Sequence, residues 1–371
     1  MRFLINASNL RQGGGIQVAD SFCQYLDKYS HHHFDVVLPP VMEKTLKEIS
    51  SYSNVSIFSY CFKNSIKSLL FQRDSFLDTL VEEGDVNAVL TIFGPSRWRP
   101  TVPHLSGFAR GQILPMNTPY LTTLSFKERM LNHVIRASFA KSADFYWTEN
   151  PAVSYMLSQI LPGKRIFTVS NSYNQVFDDE SRWREHRLPD FDGITLLTIT
   201  NSYPHKNLAL SIGISRVLED LHPDLKFRFV FTISKSDFPE LEPKMQKHFE
   251  LIGKVDISEC PSLYQQADIM FQPSLIECFT ATYPEAMRMG VPIVTSDLDY
   301  ARCLCADAAL YFSPLSAEDA ADKIYSLYQN PQLRTRLTDS GYQQLSTFLN
   351  AEERSDKIIS ILESITYNNS K

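Results

Sequence analysis

No apolar run in this chain approaches the ~20 residues that a membrane-spanning helix requires, so no spanning helix is expected. The strong basic excess of nucleic-acid binders is also missing. Lys and Arg number 36 against 42 Asp and Glu, a net charge of −6, and no nucleic-acid partner is expected. The six cysteines (Cys23, Cys61, Cys260, Cys278, Cys303, Cys305) form no CxxC pair and no metal-ligand spacing, which leaves reduced thiols as their simplest state. Solenoid repeats and low-complexity segments are absent from the sequence. The start, MRFLINASNL, runs into glycines without an h-region or a small-residue cleavage site, so no secretory signal is expected. These absences point to a cytoplasmic globular protein.

What is present is enough chain for two cores: 371 residues exceed the ~250–300 that one core usually accommodates. Charge divides unevenly. Residues 1–187 carry 20 basic and 17 acidic residues, and residues 188–371 carry 16 and 25, so the two halves are expected to face different things. Short β-branched or aromatic runs such as RFLINA (2–7), FDVVL (34–38) and AVLTI (88–92) alternate with amphipathic stretches such as 16–26, 67–83, 125–142 and 150–161. The polar segment 171–193 reads as a linker. The alternation restarts with ITLLTIT (194–200) and FRFVFTI (227–233), with helices expected from Lys206, Phe238, Cys260 and Pro284. The last two expected helices are 317–330 and 351–365. This predicts an α/β chain of two doubly wound parallel sheets, over 1–170 and 194–345, with residues 346–371 forming a helix that returns to the first domain. Ligands then sit beyond the carboxyl ends of the strands.

Three motifs stand at such ends. Gly13-Gly14-Gly15 follows the first strand, where glycines let backbone N–H groups approach an anion. A dinucleotide fingerprint fails, because the third glycine position is Val18; a flexible turn is the plain alternative. Lys206, in TNSYPHKNL (200–208), adds a point charge where an anion such as a diphosphate would bind, with His205 beside it. Finally, IECFTATYPEAM (276–287) places Glu277 in a loop and Glu285 just after Pro284. A carboxylate accepts hydrogen bonds at both oxygens, which suits a vicinal diol, and free loop amides between the two acids suit phosphate. The plain alternative is an acid that complements a helix dipole.

The segment PSLIECFTATYPEAMRMGVPIVTSDL (273–298) is similar to the paired-glutamate segment of the retaining glycosyltransferases of family 4, which have the GT-B fold. The similarity continues through CADAALYFSP (305–314) and reaches back to LIGKVD, ADIMFQPS and VSNSYNQVF (169–177). It implies two Rossmann-like domains facing across a cleft, a nucleotide-diphosphate sugar (UDP- or GDP-sugar) as donor, and no cofactor or metal. Glu277 then contacts donor-sugar hydroxyls, with Phe279, Thr280, Ala281 and Thr282 lining the donor beside it, and Glu285 takes the ribose. Lys206 grips the diphosphate, and Gly253 to Val255 pass near the base. Gly14 and Gly15 complete the diphosphate and acceptor site.

Three departures from the family pattern matter. Asn201 stands where the family has arginine, so one fixed positive charge is missing and Lys206, His205 and backbone amides carry more of the diphosphate. Thr280 replaces a common glycine, which leaves sugar specificity open. For the histidine that the family often brings from its first domain, the candidates are His104 and, for charge, Arg110, in PHLSGFARG (103–111). Asp297-Leu298-Asp299 matches the DxD metal signature of the other large glycosyltransferase fold, but it lies in the GT-B-like segment and reads as a chance match. The basic amphipathic stretch 125–142 reads most simply as a Rossmann-type helix with an apolar inner face, and it is also the stretch best suited to contact with an inner-membrane surface or a lipid-linked saccharide acceptor. The rival expectations are a nucleotide-sugar 2-epimerase on the same architecture and a silent nucleotide-sugar-binding subunit.

Overall fold

A computed structural model describes residues 1–11, 13–63 and 72–369. The chain forms two compact units. Unit 1 comprises Met1–Pro115, Leu124–Asn171 and Leu349–Lys371, and unit 2 comprises Met116–Thr123 and Ser172–Phe348.

Unit 1 carries a seven-stranded parallel sheet: β1 (Arg2–Asn6), β2 (His33–Leu38), β3 (Val55–Ser59), β4 (Ala88–Thr91), β5 (His104–Gly107), β6 (Phe145–Thr148) and β7 (Arg165–Thr168). Its spatial order is β3-β2-β1-β4-β5-β6-β7. Alternate residues of each strand enter opposite cores. Phe3, Ile5, Val36 and Leu90 join one cluster, and Leu4, Val37 and Val89 join the other. Strands buried on both faces cannot alternate apolar and polar, which is why they read as continuous apolar runs. The helices that matter below are α1 (Gly14–Cys23), α2 (Phe126–Ser142), α3 (Leu210–Leu221), α4 (Thr282–Arg288) and α5 (Ala351–Asn369).

Helix α5 belongs to unit 1 by its packing. Ile358, Ile361, Leu362 and Ile365 recur at helical spacing and sink into the cluster around Phe3 and Ile5. Each such side chain stabilises by about 1.5–3 kcal/mol through burial. Polar ties add direction. Lys28 Nζ pairs with Glu352 at 2.7 Å, and the Tyr29 hydroxyl donates to Asp356 at 2.6 Å. The Arg354 guanidinium, 2% exposed, donates to Asn171 and to Ser21 of α1. Asn171 in turn donates to the buried carboxyl of Glu149 at 2.7 Å.

Unit 2 carries a six-stranded parallel sheet: β8 (Ile194–Thr198), β9 (Phe227–Phe231), β10 (Phe249–Leu251), β11 (Ile269–Gln272), β12 (Ile293–Ser296) and β13 (Ala309–Phe312). The order β10-β9-β8-β11-β12-β13 is the doubly wound arrangement, with β8 and β11 flanking the point where the order reverses. Leu197, Val230, Met270 and Ile293 face one core; Leu196, Phe229, Phe271 and Val294 face the other. Within 174–193 the chain makes two 3-10 turns and buries Val176, Phe177 and Leu188 in the first of these cores.

Several sequence expectations shift. No α-helix forms from Phe238; two 3-10 turns, Lys235–Asp237 and Gln246–His248, flank a stretch in which Pro239 and Pro243 cannot sustain the i→i−4 ladder. A helix over Pro331–Leu345 was not expected, because its sequence is too polar for a clear apolar face. The local start signal was present, with Asn330 as cap and Pro331 in the first turn. Of the amphipathic stretch 67–83, residues 67–71 lie outside the described residues and Ser75–Glu83 is helical.

Truncation of Arg354 to alanine strands the buried Glu149–Asn171 polar group and should lower the unfolding free energy by roughly 3 kcal/mol. Denaturant melts of the variant and the parent chain measure this directly.

Candidate active site

In unit 2 two loops at the carboxyl edge of the sheet, one after β8 and one after β11, bring the sequence candidates together. After β8, Pro204–Lys206 forms a 3-10 turn with proline in its first turn, closed by Asn207 in the left-handed region (φ 54°). Helix α3 begins only at Leu210, so Lys206 does not stand at a helix start as the sequence suggested. It ends a turn, where a cation meets carbonyl dipoles favourably. The turn is held to the second loop by its backbone: Leu275 N–H donates to the His205 carbonyl at 2.7 Å. Thr118, from the Met116–Thr123 segment of unit 2, donates its hydroxyl to the Leu275 carbonyl at 2.6 Å.

That backbone stitch places Lys206 Nζ 2.5 Å from Glu277 Oε1, with side chains only 15% and 10% exposed. The Gln272 amide reaches the same oxygen at 3.5 Å. Glu277 Oε2 accepts no hydrogen bond among the described residues, and the ammonium has three donors, so both groups keep capacity for a ligand. The pair flanks the reversal point between β8 and β11, the position at which doubly wound sheets bind ligands. His205 is half-buried between Tyr203, stacked at 5.6 Å, and Tyr120, edge-on at 5.9 Å. Burial, with Lys206 adding to it, lowers its pKa against the opposing pull of Glu277.

Glu285 is in the first turn of α4, which begins at Thr282, two residues before Pro284. Pro284 is still tolerated, since the first four N–H groups of a helix lack intrahelical partners. The Glu285 carboxyl is 4% exposed and is held by the Tyr264 hydroxyl at 3.0 Å. Burial pushes its pKa up to about 7, and the Tyr264 hydrogen bond only partly offsets this. Thr280 and Thr282 join hydroxyls at 2.8 Å and are buried, while Phe279 and Ala281 are half-buried. Gly253 adopts φ 77° with open space where a Cβ would be, and Val255 is half-buried beside it. Asn201 is exposed.

Unit 1 separates its candidates. Gly14 and Gly15 open α1 at the carboxyl end of β1, after Gly13 at φ 80°. Nothing lies within 4 Å of a Cβ placed on Gly14, whereas one on Gly15 meets Leu10 at 3.2 Å. Arg110 stands just past β5, on the same edge, where partial desolvation of its guanidinium and then the charge of Arg97 lower its pKa. His104 does not fit a catalytic role. It is fully buried at the amino end of β5, the opposite edge, with Nδ1 donating to the Ser142 carbonyl at 2.6 Å and Nε2 accepting from Thr91 at 2.8 Å. Burial lowers its pKa to about 4, so it is a neutral structural histidine. Asp297 of the DxD match is held by both nitrogens of Arg302 at 2.7 Å.

Residues 179–344 match the family of glycosyl transferases group 1 across the β8 and β11 loops. Over 134 residues the chain is 28% identical to a phosphatidyl-myo-inositol mannosyltransferase of Mycolicibacterium smegmatis, a match spanning about a third (35%) of each protein. A glycosyltransferase from Rickettsia africae superposes with a TM-score of 0.71 at 15% identity over 98% of each chain. Anabaena Alr3699/HepE, in complex with UDP and glucose, gives 0.67 at 12% identity over 98% of this chain and 99% of its own. The fold is the GT-B fold of glycosyltransferases, and the group 1 segment contains Lys206, Gly253, Glu277 and Glu285.

The sequence did not reveal Gln272, Tyr264 or Thr118 as supports of this site. Gln272 ends the apolar strand β11, Tyr264 stands among polar residues in a short helix, and Thr118 is remote in the chain; each acts through packing that no spacing encodes.

The Glu285 carboxyl has a sign-defined cost. Its folded pKa of about 7 exceeds the unfolded value of about 4.5, so the native state holds the extra proton and stability falls as pH rises through that interval. Glu285→Gln keeps an acceptor for Tyr264 without the ionisation. It should match the parent at pH 5 and unfold at higher temperature than the parent at pH 8, as read by thermal melts.

Proposed function

We propose that the protein is a retaining hexosyltransferase that moves a sugar from a UDP- or GDP-sugar to a glycan or lipid-linked glycan acceptor in building a bacterial surface polysaccharide. One observation carries the reading: the largely buried Lys206–Glu277 pair at the reversal point of the unit 2 sheet, which offers a cation and a carboxylate side by side. Lys206 can donate to a departing diphosphate without releasing Glu277, and Glu277 has Oε2 left for a sugar hydroxyl. Glu285 binds the ribose diol, the loop 279–282 lies against the donor, and Gly253 to Val255 lie near the base. In unit 1, Gly14, Gly15 and Arg110 are assigned to the acceptor side.

In this mechanism the bond between the anomeric carbon and the diphosphate oxygen breaks. The acceptor oxygen bonds to that carbon on the same face, and its proton passes to the departing phosphate. No protein nucleophile is needed. Catalysis then rests on stabilising the diphosphate as its charge develops, the role of Lys206 and nearby amides. With Asn201 in place of arginine, more of that load falls on Lys206.

A nucleotide-release assay over UDP-, GDP- and ADP-sugars, with and without simple acceptors, tests the reading. Release from one donor should fall about 100-fold in Lys206→Ala. Donor binding in Glu285→Gln should weaken about tenfold, as expected for losing hydrogen bonds to a charged group. NMR of the product should show the donor's anomeric configuration. If no nucleotide sugar is turned over or bound, the reading falls; a 2-epimerised donor without transfer, or binding without any turnover across acceptors, favours the isomerase or the silent subunit respectively.

A membrane-facing acceptor is favoured by α2. A capping box of Ser125 and Glu128 fixes its start, and Phe139 is buried on its inner face. Phe126 (80% exposed), Met130, Leu131 and Val134 instead form an outer apolar stripe, accompanied by Lys127 and Arg129. Such a stripe lies on an anionic bilayer, with Lys141 and half-buried Arg136 further along the helix. In co-sedimentation with phosphatidylglycerol vesicles, replacing Phe126, Met130 and Val134 by serine should reduce binding roughly tenfold or more, given the burial lost per side chain. Unchanged binding removes this part of the proposal.

A further inference from the structure

The tripeptide His31-His32-His33 leads into β2, of which His33 is the first residue, at the amino edge of the unit 1 sheet, the edge opposite the glycine loop. Its three rings do different things. His33 turns to Ser56, with Nε2 2.9 Å from that hydroxyl. His31 and His32 lie together, ring centroids 4.1 Å apart, and both point at α5. Their Nε2 atoms are 3.9 and 2.9 Å from the same oxygen of Glu363, and the ligand atoms of this trio lie within 4.8 Å of one another.

The three groups are unequally mobile. His32 is 6% exposed and packed edge-on against Phe3 and Phe34 at 5.0 and 6.2 Å, so its ring direction is set by the core. Its Nδ1 is buried without a hydrogen-bond partner among the described residues, and Nε2 is the nitrogen that faces Glu363. His31 is exposed and can swing, and Glu363 is half-exposed. A fixed imidazole, a movable imidazole and a carboxylate are a ligand set of zinc chemistry, with water in the fourth position. Ligands about 2.0–2.1 Å from a tetrahedral zinc lie roughly 3.3 Å apart. The two imidazole–carboxylate separations, 2.9 and 3.9 Å, straddle that value, and the trio spans no more than 4.8 Å, so rotation of the exposed His31 and the half-exposed Glu363 can bring the ligands to it.

We propose that His31, His32 and Glu363 form a zinc site that clamps helix α5 to the amino edge of the unit 1 sheet. The site joins residues 31–32 to residue 363, and it is separate from the proposed donor-binding residues, all of which lie in unit 2. Its ligands come from elements already packed together, so zinc adds stability to a formed unit without being needed to fold it. The Lys28 and Tyr29 contacts to α5 lie on the same stretch of chain before β2 and prealign the ligands.

The test uses the full chain, freed of metal by chelation, in a Cys61→Ser background, because Cys61 is the one exposed thiol among the described residues. Zinc titration by calorimetry, with cobalt absorption as a check on tetrahedral nitrogen and oxygen ligation, should give one ion per chain. His31→Ala and Glu363→Gln, both at accessible positions, should each weaken zinc at least about tenfold, while His33→Ala leaves it unchanged. Saturating zinc should raise the unfolding midpoint of the parent and of His33→Ala but not of Glu363→Gln. Absence of zinc binding, or binding indifferent to both His31→Ala and Glu363→Gln, overturns the proposal. No step of this test depends on sugar transfer.

Discussion

Parallel pairing of the strands is the constraint on which the rest of this protein depends. A parallel sheet needs a crossover after every strand, and its two faces must both be covered. Leu196 and Leu197 in one strand therefore serve two different cores, as do Leu4 and Ile5 in the other unit. The same constraint collects every loop that follows a strand on a single edge. Lys206 and Glu277 are 71 residues apart in sequence and in contact because β8 and β11 are neighbours running in one direction.

At that edge the site contains groups that are costly to hold in place. A largely buried ammonium–carboxylate pair loses much of its Coulombic gain to desolvation, and a carboxyl enclosed as Glu285 is resists ionisation. Neither arrangement is what stability alone would select. Packed apolar residues of similar volume would be as stable or more so, which is one reason these three residues are the ones proposed to bind the donor. The surrounding supports, the Leu275–His205 backbone bond and the Thr118 hydroxyl, fix the two loops before any ligand arrives.

Unit 1 shows the same logic at its opposite edges. Gly14, Gly15 and Arg110 follow strands and stand at the carboxyl edge, where ligand chemistry is expected. His104 begins a strand and is consumed by the fold, with both ring nitrogens bonded. The difference is one of strand direction and not of residue type. At the amino edge the terminal helix closes over the core, and a second group of histidines meets its carboxylate there.

The sequence by itself determined the strands and the doubly wound class, because burial on both faces leaves marks at short range, and it singled out Lys206, Glu277 and Glu285 as the candidates on which the proposed site rests. It placed strand boundaries within a few residues, but it missed the helix over Pro331–Leu345, whose surface is too polar to advertise a face. It also could not separate His104, a buried strand residue, from a histidine at a reacting centre, since nothing in PHLSGFARG (103–111) marks which end of a strand the ring occupies. Tertiary structure alone decided which groups touch: the Lys206–Glu277 pair, the Tyr264 hydroxyl on Glu285, Arg354 of α5 on Asn171 and Ser21, and Glu363 against His31 and His32. Each of these contacts joins residues far apart in the chain, and their separation in space is set by strand order and packing, which no local pattern encodes.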